Sequence, residues 1–328
     1  MELLYLYSFK FAIIHSHYIY IGYQSSMWFK NLSVFRLTEA FTLTPEELEK
    51  KLDPLSFRPC GLHEESTFGW AFPLGKAGQQ LVHNANGFIM LCGKKEERVL
   101  PAAVLNEMVQ EKIFEKEEQQ ARKLSKKERT EIKDEVIFDL LPKAFTFSRK
   151  IYAYIDPKGG WLLVDAASAK NAEDLLSLLR KSLGSLPAVP LNTIEKPTSI
   201  MTQWLLNDKT PDDITVEDEC ELRSPEELGG IIRCKRHDLA LPEIKNHLNT
   251  GKEVIKLAVS WADRISFIID ENLAIKRLRF LDLIQDQVTD IETNDDATQF
   301  DVDFSIMSAE LANFLPRLLE LFGGENKA

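Results

Sequence analysis

The chain has 328 residues, of which 44% are hydrophobic and 28% charged, a globular composition that excludes wholesale disorder. Its formal net charge is -11, from 40 basic and 51 acidic residues, and taken whole this points away from nucleic acid, whose binders usually carry a basic excess. No apolar run is long enough for a membrane helix, and four scattered cysteines (Cys60, Cys92, Cys220, Cys234) without a CxxC pair exclude a disulfide scaffold and a zinc finger. A reducing, cytoplasmic setting and no membrane partner are expected.

The average charge hides an uneven distribution. Residues 212–227 carry a net -7 and residues 282–310 a net -9, which leaves +5 on the other 283 residues. The sequence reads as a mildly basic body with two acidic segments.

Residues 1–26 hold five of the seven tyrosines, and Met27 is the expected start of the functional chain. The segment is read as a non-native or disordered extension. Phe29 to Leu37 alternates as a strand. Thr44-Pro45-Glu46-Glu47 predicts a helix start with a capping box. Residues 80–92 predict a hairpin, and Ile151–Asp156 with Trp161–Asp165 predict another. Between them, Pro101 opens a helix expected to reach Arg122. A second helix follows from near Ser125, stopped by Pro142. This pair reads as an exposed helical arm.

Ser168 caps a helix with Leu175, Leu176, Leu179 and Leu183 on one face, closed at Gly184. Beyond residue 196 a second α+β unit is predicted. It has a helix at Ile200–Asn207 and strands at Gly230–Arg236, Glu253–Ser260, Ile265–Asp270 and Ile275–Leu281. A closing helix spans Ser305–Phe322, bent or interrupted at Pro316. The expected division is 27–97 plus 146–195 as a central α+β domain, 98–145 as the arm, and 196–328 as a C-terminal α+β domain.

No nucleophile elbow, phosphate-binding glycine loop, HExxH or dinucleotide fingerprint occurs. No catalytic residue, metal site or cofactor is expected. Asp295, Asp296, Asp301 and Asp303 resemble a metal-binding cluster but lack the glycine and terminal glutamate of a calcium loop, so a solvated acidic loop is expected there. His63 and His83 read as structural or surface residues, and Cys234 as a small buried one.

What remains is charge geometry. Lys94, Lys95 and Arg98 follow one hairpin. Residues 122–150 hold nine bases against five acids, with Arg122, Lys123, Lys126, Lys127, Lys133, Lys143, Arg149 and Lys150 as candidates. Lys170, Arg180 and Lys181 flank the Ser168 helix, and Arg233, Lys235 and Arg236 form the densest cluster. On a strand, Arg233 and Lys235 share one face and Cys234 and Arg236 the other. If these clusters converge on one concave surface, they form a sequence-independent phosphate track.

At residues 165–191 a pattern emerges. Asp165-Ala166-Ala167-Ser168-Ala169-Lys170-Asn171-Ala172-Glu173-Asp174, then Leu178-Leu179-Arg180-Lys181-Ser182-Leu183-Gly184-Ser185-Leu186-Pro187, resembles the bacterial RdgC family of recombination-associated proteins. Met27-Trp28-Phe29-Lys30-Asn31, Pro59-Cys60-Gly61, Ala121-Arg122-Lys123-Leu124 and Leu140-Leu141-Pro142-Lys143-Ala144-Phe145 fit in order. The resemblance covers about residues 27–325. It implies an α+β fold, with antiparallel sheets, packed helices and a projecting helical arm, assembled as a ring-shaped homodimer with a basic hole.

It also implies binding of double- and single-stranded DNA, association with the nucleoid, and limitation of RecA-driven exchange through shared DNA. No enzymatic activity is implied. Phe145 at the end of the arm suits a dimer contact, as do Arg236 and His237. Many members carry Lys-Gln at that pair; Arg236 keeps the charge, and His237 stands where the glutamine would be, which puts any hydrogen bond of that glutamine in doubt. The alternative is a protein-interaction module whose acidic segments bind a recombination factor, with DNA contact secondary.

Overall fold

The computed structural model describes residues 27–226, 229–284 and 295–326. The reading of residues 1–26, and residues 285–294 of the acidic segment 282–310, lie outside them.

The fold is α+β around a large antiparallel sheet. Its strands are β1 (Asn31–Leu37), β2 (Ser66–Trp70), β3 (Val82–Ala85), β4 (Phe88–Arg98), β5 (Thr146–Asp156), β6 (Trp161–Val164), β7 (Ala188–Pro190), β8 (Ile214–Arg223), β9 (Ile231–Lys235), β10 (Glu253–Trp261), β11 (Ile265–Asp270) and β12 (Ile275–Phe280). The spatial order is β2-β4-β5-β6-β1-β12-β11-β10-β8-β9, with β3 on β4 and β7 on β1. Strand β1 joins the two halves: Val34 and Phe35 pair with β6, while Asn31 and Leu32 pair with Lys276 and Ile275 of β12.

The helices are α1 (Pro45–Leu52), α2 (Ala102–Gln120), α3 (Lys126–Leu140), α4 (Ala169–Leu183), α5 (Pro197–Asn207), α6 (Pro242–Asn249) and α7 (Asp296–Leu321). Thr44 and Ser125 each close a capping box, with Glu47 and Glu128 respectively, and the Ser168 side chain caps α4. Each box satisfies two donors that a helix start leaves open. Gly184 ends α4 at φ 85, a conformation glycine reaches without a Cβ clash.

Three apolar clusters hold these elements. Met90, Tyr154, Leu163, Leu257 and Phe267 pack with Phe304, Met307 and Leu311 of α7. On the other face of the first half, Leu91, Ile151 and Ala153 pack against Leu48 of α1 and Leu175 and Leu179 of α4. A smaller cluster of Val109, Ile113, Leu124, Ile132 and Val136 binds α2 to α3 and stands apart from both. None of the helices among the described residues is long and apolar enough to cross a membrane.

Three expectations change. Helix α2 stops at Gln120, two residues early, because Ala121 turns left-handed at φ 49. Helix α7 starts at Asp296, not Ser305, and runs on through Pro316 to Leu321. Asp295 accepts from the backbone N–H groups of Ala297 (3.0 Å) and Thr298 (2.8 Å), so the acids expected in a loop instead start a helix. The acidic stretch from 212 contains a strand, β8, that the charge count concealed.

Candidate nucleic-acid interface

The β4–β5 ladder arranges four of the predicted bases in two opposed pairs. Its register sets Lys94 opposite Lys150 and Lys95 opposite Arg149. Opposed residues share a face and successive ones alternate, so the two pairs lie on opposite sides of the sheet.

On the Lys94 side, the Lys94 ammonium sits 4.1 Å from the centre of the Phe57 ring. The Lys150 ammonium lies 5.7 Å from the Tyr152 ring and donates to its hydroxyl at 3.4 Å. Neither lysine is ion-paired among the described residues. Burial lifts the Tyr152 phenol above its ordinary range, so it stays a neutral donor. Two like charges directly opposite on a ladder cost roughly 0.2–1 kcal/mol, a cost an anion between them removes.

The Lys95 side is balanced. Lys95 reaches Glu97 at 2.8 Å and Asp174 of α4 at 3.8 Å, and Arg149 lies 3.8 Å from Glu97. The hydrogen bond from Lys95 holds the Glu97 carboxyl below its usual value, with Lys170 adding a weaker pull.

Arg98 is committed elsewhere. Its guanidinium donates to the carbonyls of Leu141 (2.8 Å), Ala144 (3.2 Å) and Gly61 (3.0 Å). It ties the end of α3 to the sheet and leaves little donor capacity for phosphate.

On the arm, Arg122 grips Glu128 through two bonds of 3.1 and 2.6 Å, and Lys123 meets Glu117 at 2.7 Å. Glu117 also takes Arg129, and these partners hold its carboxyl at about 2. By contrast, Lys126, Lys127, Lys133 and Lys143 are exposed and outside any ion pair among the described residues. Lys126 and Lys133, seven residues apart, share one side of α3. On α4, Arg180 pairs with Glu173 at 3.3 Å and Lys181 is exposed.

In the second half, bases and acids interleave. Glu221 holds Arg233 (3.1 Å) and Lys256 (3.0 Å), and Glu219 holds Lys235 (3.7 Å) and Arg277. Arg233 and Lys235 project outward and Cys234 inward, as the alternation requires. Arg236 leaves the strand at φ 54 and is exposed rather than sharing the Cys234 face. The His237 backbone N–H donates to Asp218, and its ring contacts Glu243.

Phe145 is 87% exposed, just past the turn that ends α3, and its carbonyl accepts from Val99 at 2.8 Å. Phe147 beside it is also exposed. The four acids of the closing segment do separate jobs: Asp295 caps α7, Asp296 sits in its first turn, Asp301 lies 3.2 Å from His83, and Asp303 is buried beside Gln299. Among the described residues, no three histidine, cysteine or carboxylate side chains are grouped to share a metal ion.

The structure therefore brings Lys94 and Lys150 together. It leaves Lys126, Lys127, Lys133, Lys143, Lys181 and Arg236 available, and engages Arg98, Arg122, Lys123, Arg180, Arg233 and Lys235 with acids or carbonyls. Sequence reading missed Phe57, Tyr152 and Lys256. Tyr152 is two residues from Lys150 and so on its face, a signal that was present; Phe57 and Lys256 arrive through long-range register and left none.

The chain matches over residues 27–325 the family described as "RdgC: Putative exonuclease, RdgC". It is 47% identical over 302 residues to the Recombination-associated protein RdgC of Aeromonas hydrophila, covering 92% of this chain and 100% of that one. It is 49% identical to the protein of the same description from Tolumonas auensis, covering 91% and 99%. The Pseudomonas aeruginosa relative is 47% identical, covering 91% and 98%.

Proposed function

The chain belongs to the RdgC family of recombination-associated proteins, and from that premise we propose that it binds DNA without sequence preference and without catalysis. In this reading it acts in the nucleoid as a ring-shaped homodimer, limiting RecA-driven exchange by occupying the DNA. The observation that carries the proposal is the opposed, un-ion-paired Lys94 and Lys150. Such a pair suits a phosphate, and the flanking Phe57 and Tyr152 rings offer flat faces on which an unpaired base can stack. The exposed Lys126, Lys127 and Lys133 of α3 add cations on the arm, interspersed with the exposed Glu131 and Asp134. Of the four acids of β8, Glu219 and Glu221 are spent on Arg233, Lys235, Lys256 and Arg277, which halves the charge that strand could offer a basic partner and leaves Glu217 and Asp218 exposed.

Fluorescence anisotropy of a labelled duplex, titrated with salt, tests this. Affinity should fall steeply between about 50 and 200 mM salt as phosphate counterions are released. Replacing both Lys94 and Lys150 by alanine should flatten the log–log slope by about 1.8, since each phosphate contact contributes about 0.9. Lys95→Ala should change it less, because Lys95 is already paired. Salt-independent binding overturns the proposal. Labelled DNA incubated with the protein and magnesium or manganese should keep its length; shortening would overturn the non-catalytic part.

A further inference from the structure

We propose that Cys220 and Cys234 form a reversible disulfide that staples strand β9 to the sheet. Cys220 on β8 stands directly opposite Cys234 on β9 in antiparallel register. Opposed residues have Cα atoms about 4.5–5.5 Å apart and side chains on one face, inside the roughly 4.4–6.8 Å that a disulfide spans. Both side chains point into the same apolar cluster. Burial first, and then the Cys234 sulfur beside it, pushes the Cys220 thiol up to about 12.

The other cysteines have different surroundings. The Cys60 thiol donates to the carbonyl of Glu96 at 3.3 Å, and Cys92 is enclosed within β4. They serve as internal controls.

The position gives the bond a consequence. Strand β9 ends the sheet and pairs only with β8 among the described strands. Its hold rests on five paired positions and on ion pairs from Arg233 and Lys235 to β8 carboxylates. Edge strands open locally more readily than central ones, and opening exposes both thiols to water, where a thiolate forms. Hydrogen peroxide then supplies the two-electron oxidation. The thiolate attacks the peroxide oxygen, giving a sulfenic acid and, after protonation, one water. The second sulfur displaces the sulfenic oxygen as another water, and the S–S bond forms. A dithiol reductant reverses the change by exchange. The oxidised form closes the loop from 220 to 234 and holds the basic strand shut.

The test uses the purified full chain. It is treated with hydrogen peroxide, its remaining thiols are blocked with N-ethylmaleimide, and it is digested without reduction for mass mapping. The expected product is a peptide pair joined between Cys220 and Cys234, two hydrogens lighter than the separate thiols and separated again by dithiothreitol. Hydrogen exchange over residues 231–235 should slow in the oxidised form. Cys220→Ser should abolish the joined peptide while leaving exchange unaltered by peroxide. Recovery of Cys220 and Cys234 as blocked thiols after prolonged oxidation, or joined to Cys60 or Cys92 instead, overturns the proposal.

Discussion

Lys94 and Arg98 lie four residues apart on one strand and on the same face, yet their neighbours give them different work. Arg98 is surrounded by carbonyls and holds the root of the arm; Lys94 meets an aromatic ring and another lysine. Formal charge in the sequence does not separate them. His83 shows the same dependence on setting. Its imidazole is held below its usual value, by burial first, against the opposing pull of Asp301 at 3.2 Å. Phe300 and Phe304 pack on its ring. A base depressed on folding binds fewer protons folded than unfolded. Stability is therefore full above the unfolded value of about 6.5 and falls as pH drops from there toward the folded value. Asp165 and Asp303, whose carboxyls are raised by burial, act with the opposite sign. The expected result is that His83→Gln flattens the loss of melting temperature between about pH 7 and 5 relative to the parent chain. Equal slopes for the two proteins would remove His83 from the acid response.

At the scale of elements, glycine positions show how closely the pieces approach. A Cβ at Gly69 of β2 would stand 2.7 Å from the Phe57 Cα and 2.8 Å from the Leu55 carbonyl oxygen. These are backbone atoms and cannot swing aside. Gly69→Ala should destabilise the protein by about 1–3 kcal/mol, the usual range for overpacking, measured by urea denaturation. It should also displace Phe57 from Lys94 and weaken DNA binding in proportion. A variant with parental stability would show that the Leu55–Phe57 segment yields freely. Local signals of this kind were legible in the sequence where they are short-range: Thr44, Ser125 and Ser168 each announced a helix start within four residues. Strand β8 also carried a local signal, since Ile214, Val216, Cys220 and Leu222 recur at even spacing. Its acids masked it when read as a charge run. Their partners lie 12 to 58 residues away on β9, β10 and β12, and no local pattern announces that register. The start of α7 was hidden for a related reason. Asp295 and Asp296 look like loop residues, but a helix N-terminus is where aspartate is most stabilising.

For the whole molecule, the sequence suggested bases gathered on one surface and acids held apart. The fold instead interleaves them in its second half, where Glu219 and Glu221 each take two bases, while on β4 and β5 it sets Lys94 opposite Lys150 outside any ion pair among the described residues. In the proposed dimer a second copy would extend the track that Lys94 and Lys150 begin. In that proposal Phe145 is the candidate anchor between the copies. It lies beside Lys143 at the end of α3, 87% exposed, on backbone fixed by Val99 and by the grip of Arg98 on Ala144. An aromatic side chain buried at an interface is worth about 1.5–3 kcal/mol from area alone, and central anchors often reach 2 or more. Phe145→Ser should therefore raise the dimer dissociation constant by roughly 10- to 100-fold, read by sedimentation velocity across a concentration series. The local fold should survive, because the contacts that fix this backbone do not use the ring. Lys143→Ala, two residues earlier and also exposed, should leave the dimer unchanged. If Phe145→Ser sediments as the parent does at every concentration, Phe145 makes no contact between copies and the proposed ring closure would have to rest on other residues.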